Sequence, residues 1–320
     1  MKLVVITGCL GLIGNYVTRK CLEKGWKVYG IDKKTYAANE WALEEFLNHD
    51  NFTFLEKDIC ELKSIPDCDY VINIAAESHV ENSIIESDVF IKTNVLGVKN
   101  LLNIIKNKHN NVFKRPVFFH FSTDEVYGDI KSGSHTEEDA LIPSNPYSAS
   151  KASADMLVLA WSRTYGLDYI ILRPTNNYGI GQYCEKLIPL SVKLLSIDRK
   201  INLHNEGKPV RTWLHAEDTA TAVIKIIDSG KVNEIYNVSG NLERTNYDTV
   251  TKIVEVFYQK NNMPSSVVDE FFNFQHVRKG QDVRYSLDDT KLRALGWSSS
   301  KNFDEEISKI VDYYKNNFKW

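Results

Sequence analysis

The sequence has little that would tie it to a membrane, to a nucleic acid or to an oxidising compartment. Its 320 residues include five cysteines, Cys9, Cys21, Cys60, Cys68 and Cys184, an odd and scattered set with no Cys-x-x-Cys pair and no Cys/His cluster. That argues against a disulfide framework and against a zinc site, and fits free thiols in a reducing cytoplasm. No apolar run approaches the roughly 20 residues that a membrane helix needs. The N-terminal apolar run is too short for a signal peptide and lacks a small-residue cleavage site, so it reads as a buried first strand. Charge of neither sign dominates: Lys and Arg number 39, Asp and Glu 42, for a formal net charge of −3. No general attraction to nucleic acid or to an anionic membrane results. Internal repeats, low-complexity tracts and flexible linkers are also missing.

What is present is an ordinary globular balance, 43% hydrophobic and 25% charged. The length suffices for one large unit or two moderate ones. Short apolar runs at 3–6, 27–31, 52–55, 70–74, 117–121 and 169–172 alternate with helical periodicity at 12–24, 94–108 and 147–165. Strands apolar on both faces and alternating with helices predict a parallel sheet covered on each side. Beyond Pro174 the pattern loosens, with helical spacing at 186–196, 217–228, 247–259 and 303–316 and short strands at 201–203, 211–214 and 235–238. This is too little for a second full α/β domain. The expectation is a nucleotide-binding part at 1–177, with 215–239 returning to it, and a smaller lobe from 178–214 and 240–320.

In an open parallel sheet, ligands bind beyond the carboxyl ends of the strands. Here those ends carry Gly8, Gly11 and Gly14; Asp32; Asp58; Ala75-Ala76-Glu77-Ser78-His79; Ser122-Thr123-Asp124-Glu125; and Arg173-Pro174-Thr175-Asn176-Asn177-Tyr178-Gly179. The three glycines lie between a strand and a helix. A tight turn that brings backbone close to a pyrophosphate needs residues without Cβ, and the helix N-terminus adds free N–H groups and the positive end of a dipole. Asp32, ending the next strand, can accept hydrogen bonds from the two ribose hydroxyls of NAD and repels a 2′-phosphate. Lys33 and Lys34 oppose that preference, since a lysine can pair with a phosphate. Asp58 is either a partner for the adenine amino group or a plain helix cap.

Tyr147 and Lys151 are four apart on a predicted helix and share a face. A tyrosine hydroxyl, with a reference pKa of about 10, is a poor base at neutral pH. A neighbouring ammonium and the positive charge of an oxidised nicotinamide would lower that value and let Tyr147 take a proton while hydride leaves the same carbon. Ser122 and Thr123 offer hydroxyls to the reacting oxygen. Asp124 and Glu125 go beyond what alcohol oxidation needs. Eliminating water from a sugar requires a base for the carbon acid and an acid for the leaving hydroxyl. Adjacent carboxylates in a closed site repel each other's ionisation, so one can stay protonated while the other is charged. The alternative is that both cap the following turn.

At these residues the chain resembles the nucleoside-diphosphate-sugar 4,6-dehydratases of the extended short-chain dehydrogenase/reductase family. The stretches are Asp32-Lys33-Lys34-Thr35-Tyr36-Ala37, Ala75-Ala76-Glu77-Ser78-His79-Val80, Ser122-Thr123-Asp124-Glu125-Val126-Tyr127-Gly128 and Pro146-Tyr147-Ser148-Ala149-Ser150-Lys151-Ala152. Asn176-Asn177-Tyr178-Gly179, Glu185-Lys186-Leu187-Ile188-Pro189 and Arg211-Thr212-Trp213-Leu214 continue it to about Trp297. The resemblance implies a Rossmann-type doubly wound parallel sheet with a smaller C-terminal α/β substrate lobe. It implies NAD, recycled in each turnover, held by Gly8, Gly11, Leu12, Ile13, Gly14, Asp32, Lys33, Thr35, Asp58, Ile59, Ala75, Ala76, Ser78, Ser122, Tyr147 and Lys151. By the same resemblance, Tyr147, with Lys151 and Thr123, would act at the C4 hydroxyl, Glu125 would remove the C5 proton, and Asp124 would protonate the departing C6 hydroxyl. His79, Asn177, Glu185, Lys186, Arg211, Asn246 and Arg278 would contact the nucleotide sugar.

Three stretches of the substrate lobe depart from the dTDP-glucose enzymes: Gln182-Tyr183-Cys184, Leu203-His204-Asn205 and Gln281. They leave the base (dTDP, UDP or GDP) and the sugar (glucose or N-acetylglucosamine) open. A C4 epimerase on the same scaffold, which would not need Asp124 and Glu125, and a non-catalytic nucleotide-binding protein are the competing readings. The resemblance also implies a cytoplasmic homodimer pairing the helices at 94–108 and 147–165, in which Val95, Leu101, Leu102 and Ile105 face either the partner or the sheet. It implies no metal, nucleic acid or membrane partner.

Overall fold

The computed structural model describes residues 1–108, 115–240, 242–276 and 282–317. Arg278 and Gln281 lie outside the described residues. In chain order the first part comprises β1 (Leu3–Thr7), α1 (Leu12–Glu23), β2 (Lys27–Asp32), α2 (Glu40–Leu47), β3 (Phe52–Glu56), β4 (Tyr70–Asn73), α3 (Val80–Ile85) and α4 (Asp88–Phe90). A π-helical segment (Ile91–Gly97) then leads into α5 (Val98–Asn107), β5 (Val117–Phe121), α6 (Pro146–Tyr165) and β6 (Tyr169–Pro174). After these come β7 (Asn176–Tyr178), α7 (Leu187–Ser196), β8 (Ile201–His204), β9 (Val210–His215), α8 (Ala216–Ser229), β10 (Glu234–Val238) and β11 (Leu242–Thr245). The chain closes with α9 (Asn246–Phe257), α10 (Ser265–Val268), β12 (Phe272–His276), α11 (Thr290–Arg293) and α12 (Phe303–Asn316).

Seven parallel strands form the main sheet in the order β3-β2-β1-β4-β5-β6-β10. The winding reverses between β1 and β4, which opens a crevice at their carboxyl ends. The expected Rossmann-type sheet is therefore what the chain builds. Burial on both faces arises from the sequence: β5, Val-Phe-Phe-His-Phe, is buried at every position. Alternation sends Phe119 into the core beneath α1 and α8, and Phe118 into the core beneath α5 and α6. Each such side chain contributes on the order of 2–3 kcal/mol of burial.

A separate core of Tyr178, Val192, Trp213, Ile253, Phe303 and Ile307 is gathered by α7, α9 and α12. Two small sheets, β11-β9-β7 and β12-β8, flank it. The first leaves from the carboxyl edge of the main sheet, because only Thr175 separates β7 from β6.

α6 shows why its helix starts and stops where it does. Asn145 caps it in a reciprocal box with Ser148, Pro146 occupies the first turn, and Gly166 closes it in a left-handed conformation at φ 65°. The helix expected over 94–108 differs: its beginning is the π-helical segment, with Thr93 and Asn94 buried. The elements missed by periodicity are short or depend on partners. β11 reads Leu-Glu-Arg-Thr, without apolar alternation, and exists through its antiparallel pairing with β9.

Leu101, Leu102 and Ile105 face the sheet rather than a partner: all three are buried in the core beneath α5. The exposed apolar residues nearby are instead Ile84, Ile85, Val89, Ile91, Leu96 and Met156. Among the described residues no helix is long and apolar enough to cross a membrane.

Candidate active site

The turn after β1 is built from backbone. Gly8 sits at φ 69°, and a Cβ there would lie 2.6 Å from the Ala75 nitrogen. A Cβ on Gly14 would lie 1.9 Å from the Gly8 carbonyl oxygen. Gly11 stands at the N-cap of α1 without a side-chain cap, so the first N–H groups of that helix and its positive dipole end face the crevice. A turn packed this tightly, backbone on backbone and with amides at its rim, is a cradle that fits a pyrophosphate.

Asp32 ends β2 beside this cradle. Its Oδ2 accepts the Leu10 N–H at 3.0 Å and its Oδ1 the Lys34 N–H at 2.9 Å. Burial raises its pKa, and those two N–H groups oppose the rise. The two lysines that cloud the sequence reading are each set beside acids. Lys33 Nζ lies 3.1 Å from Glu77 Oε1 and 3.8 Å from Asp58 Oδ2. Lys34 Nζ lies 3.4 Å from Glu40 and 3.8 Å from Glu56. Their charge is matched locally, which leaves Asp32 to set the preference against a 2′-phosphate. Asp58 does cap the turn after it, accepting the Cys60 N–H at 2.9 Å, while also lining the crevice.

One continuous cleft runs from this cradle over the carboxyl edge of the sheet to α6. It is lined by Gly8, Gly11, Leu12, Ile13, Gly14, Asp32, Lys33, Thr35, Asp58, Ile59, Ala75, Ala76, Ser78 and Ser122. Thr123, Asp124, Glu125, Tyr147, Lys151, Asn177, Glu185 and Lys186 line the same cleft. His79, Arg211 and Asn246 stand outside that lining. His79 caps α3, accepting the Asn82 N–H at 3.4 Å. Arg211 is the second residue of β9 and Asn246 the first of α9, where the Asn246 N–H donates to the Pro209 carbonyl at 2.9 Å. Arg211 is nonetheless close enough to act on Asp124 electrostatically.

The catalytic candidates converge. Asp124 is buried, and its pKa is pushed up to about 7 by that burial and by the Glu125 charge, against the pull of Thr123 and Arg211. Thr123 Oγ1 donates to Asp124 Oδ1 at 3.1 Å. The pair therefore divides as adjacent acids in a closed site should, with Asp124 protonated near neutrality.

Tyr147 departs from expectation. Its pKa is raised, first by burial and then by the charge of Glu125, with the Thr123 hydrogen bond as the opposing influence. Lys151 Nζ donates to the Phe121 carbonyl at 2.5 Å. Burial brings the Lys151 pKa down to about 8 despite the Asp155 carboxylate one turn away. Ser122 lines the cleft, but its hydroxyl donates to Asp155 Oδ2 at 3.0 Å, away from the candidate acids.

On the substrate side, the Asn177 amide donates to the Thr175 carbonyl at 2.9 Å and accepts the Thr219 hydroxyl at 2.6 Å. Glu185 accepts the Tyr36 hydroxyl at 3.2 Å, and Lys186 donates to the Ser78 carbonyl at 2.7 Å, joining the two halves across the cleft. Two of the divergent residues reach this seam. Tyr183 lines the cleft with its ring edge-on to Tyr36 at 4.8 Å, and His204 pairs with Glu81 at 2.7 Å.

Sequence reasoning missed Asn94, whose amide donates to the Glu77 carbonyl and to Ser150 at 3.0 and 2.9 Å and so ties the β4 loop to α6. Its signal was weak: one polar residue inside an apolar helical pattern. It also missed Asn145 and Tyr285, both of which touch Glu125.

With this geometry established, known proteins bear on it. The family described as GDP-mannose 4,6 dehydratase matches residues 5–310. The dTDP-glucose 4,6-dehydratase of Haemophilus influenzae is 38% identical over 331 aligned positions, covering 98% of each chain. The crystal structure of DesIV, a dTDP-glucose 4,6-dehydratase from Streptomyces venezuelae with NAD bound, superposes with a TM-score of 0.88 at 34% identity, covering 98% of this chain and 97% of that one. A UDP-glucuronic acid 4-epimerase from Bacillus cereus shares the fold, with a TM-score of 0.87 at 22% identity, covering 98% of this chain and 99% of that one.

Proposed function

The chain belongs to the GDP-mannose 4,6-dehydratase family, and from that premise we propose that it is an NAD-dependent 4,6-dehydratase of a nucleotide-activated hexose, a hydro-lyase releasing the 4-keto-6-deoxy sugar. The observation that carries this reading is the pair Asp124 and Glu125 beside Thr123 and Tyr147, in one cleft with the glycine cradle. An epimerase has no use for an acid held protonated near neutrality.

The residues Gly8, Gly11, Gly14 and Asp32 would hold NAD, which when bound supplies an acceptor for the C4 hydride and its return at C6. Tyr147 takes the C4 hydroxyl proton while Thr123 hydrogen-bonds the oxygen. The pKa of Tyr147 must fall for this, which the positive charge of oxidised nicotinamide, when bound, and the neighbouring Lys151 ammonium would favour. Once C4 is a ketone the C5 proton is acidic; Glu125 removes it and Asp124 donates a proton to the departing C6 hydroxyl. Glu125 gives its proton back to C5; Tyr147 is left holding the C4 hydroxyl proton and Asp124 is left without the one that departed in water, so the net passage of one proton from Tyr147 to Asp124, through the cleft or solvent, restores the protein. Arg211, Asn246 and Arg278 serve the diphosphate and nucleoside, the arginines because a planar fork donates two hydrogen bonds to phosphate.

In this reading the nucleotide part is 1–177 with 215–239, and 178–214 with 240–320 forms the substrate lobe; the pairing of β10 with β6 supports the return. A homodimer through α3, α4, the π-helical segment and α6 is supported by the exposed Ile85, Leu96 and Met156 on elements that pack together. Five unpaired cysteines support a cytoplasmic location.

The test is incubation with dTDP-glucose, UDP-glucose, UDP-GlcNAc and GDP-GlcNAc in parallel, each product read by mass spectrometry. Loss of one water from one of them names the nucleotide and the sugar together. An unchanged mass with isomerisation visible by NMR moves the assignment to an epimerase.

A further inference from the structure

Tyr285 is a buried residue that the mechanism above leaves unused. It lies in the segment between β12 and α11, 3% exposed, and its hydroxyl stands between two carboxylates. The hydroxyl hydrogen-bonds Asp282 Oδ2 and lies 3.5 Å from Glu125 Oε2. Its ring is fixed by the Arg211 guanidinium, 4.4 Å above the ring centre, which also donates to the Asp282 carbonyl at 3.2 Å. The same Glu125 oxygen accepts the Asn145 amide at 3.3 Å. Asn145 is the cap of α6, the helix that carries Tyr147 and Lys151. One oxygen of Glu125 is thus approached from two sides, by the helix that oxidises C4 and by a tyrosine locked to the arginine of the substrate side.

We propose that Tyr285, with Asn145, is a positioning residue that aims the Glu125 carboxylate at the C5 proton. This rests on the dehydratase reading above and adds residues to it. The hydroxyl has one hydrogen and two carboxylates beside it. That hydrogen goes to Asp282, the nearer carboxylate, and the phenol oxygen stays 3.5 Å from Glu125 Oε2. Once Glu125 has taken the C5 proton, its own O–H can donate to the Tyr285 oxygen while the hydroxyl hydrogen serves Asp282. Flanked by the phenol and the Asn145 amide, this Glu125 oxygen is held in place, which limits rotation of the carboxylate during proton transfer.

The experiment is rapid-quench mass spectrometry with the nucleotide sugar that the wild-type protein converts. Tyr285→Phe keeps the ring and its contact with Arg211 and removes only the hydroxyl. The expected result is C4 oxidation at close to the wild-type rate, water loss slowed about 10- to 100-fold, and transient accumulation of a 4-keto sugar that still holds its C6 hydroxyl. Deuterium at C5 should slow this variant more than it slows the wild type. Asn145→Ser, which retains a good helix cap but loses the amide donor, should give the same signature. Wild-type water loss in Tyr285→Phe overturns the proposal. So does an equal loss of both steps accompanied by a lowered melting temperature, since that is what a merely structural tyrosine produces. No water loss by the wild-type protein from any nucleotide sugar overturns the dehydratase reading itself.

Discussion

Asp155 and Arg173 meet in the interior, carboxylate to guanidinium at 2.9 Å, with neither side chain more than 2% exposed. The pair joins α6 to β6. Asp155 also accepts the Ser122 hydroxyl at 3.0 Å, and Arg173 donates to Tyr127, which donates to Asn237 on β10. Removing one partner of such a pair strands the other charge. Asp155→Ala should therefore cost about 3–5 kcal/mol, read by chemical denaturation. Asp155 also raises the pKa of Lys151 against its burial. The variant should accordingly lose the Lys151 charge at a pH below about 8, moving any alkaline limb of activity to lower pH. An unchanged denaturation midpoint would show that the pair is dispensable.

Tyr147→Phe should abolish hydride transfer, by about 10²- to 10⁴-fold, while nucleotide binding by calorimetry survives. Full activity in this variant would remove Tyr147 from the mechanism.

Asp124 gives a pH dependence with a defined sign. Its folded pKa, about 7, lies above the ordinary carboxylate value. The protonated form is favoured in the fold, so its stabilising contribution is complete below pH 4 and is lost as pH rises through 7. Asp124→Asn should match the wild-type stability near pH 4 and exceed it at pH 8 by roughly 2–4 kcal/mol. Water loss should fall about tenfold per unit above pH 7, since the acid must carry its proton. Asp124→Asn and Glu125→Gln should leave C4 oxidation possible and block dehydration, checked by quenched-flow product analysis.

Gly14→Ala places a methyl group 1.9 Å from the Gly8 carbonyl oxygen unless the turn opens. The turn is backbone against backbone and has no flexible side chain to yield. Thermal unfolding should register a loss of about 2 kcal/mol or more, and NAD should no longer raise the melting temperature. A variant still stabilised by NAD would place the pyrophosphate elsewhere.

Much of the site was legible in the residue order, for a local reason. Gly8, Gly11, Gly14 and Asp32 come directly after strands. A strand end in a parallel sheet is a position on one edge, so the residues just past each strand make up the rim of the cleft. Tyr147 and Lys151 share a helical face by spacing alone. Asn145 and Tyr285 were not legible. Asn145 reads as an ordinary cap, and Tyr285 meets Glu125 across 160 positions of chain.

The sequence by itself determined the alternation of strands and helices, the glycine turn and the candidates for the reacting groups, because each is set by neighbours within a few residues. Only the tertiary structure decided their electrostatics. Lys33 and Lys34 sit against acids brought from elsewhere in the chain, Lys151 is buried with its ammonium on the Phe121 carbonyl, and Asp124 is buried deeply enough for its pKa to rise to about 7. Charges act through space and burial is a property of the whole packed chain, so neither can be counted along a sequence.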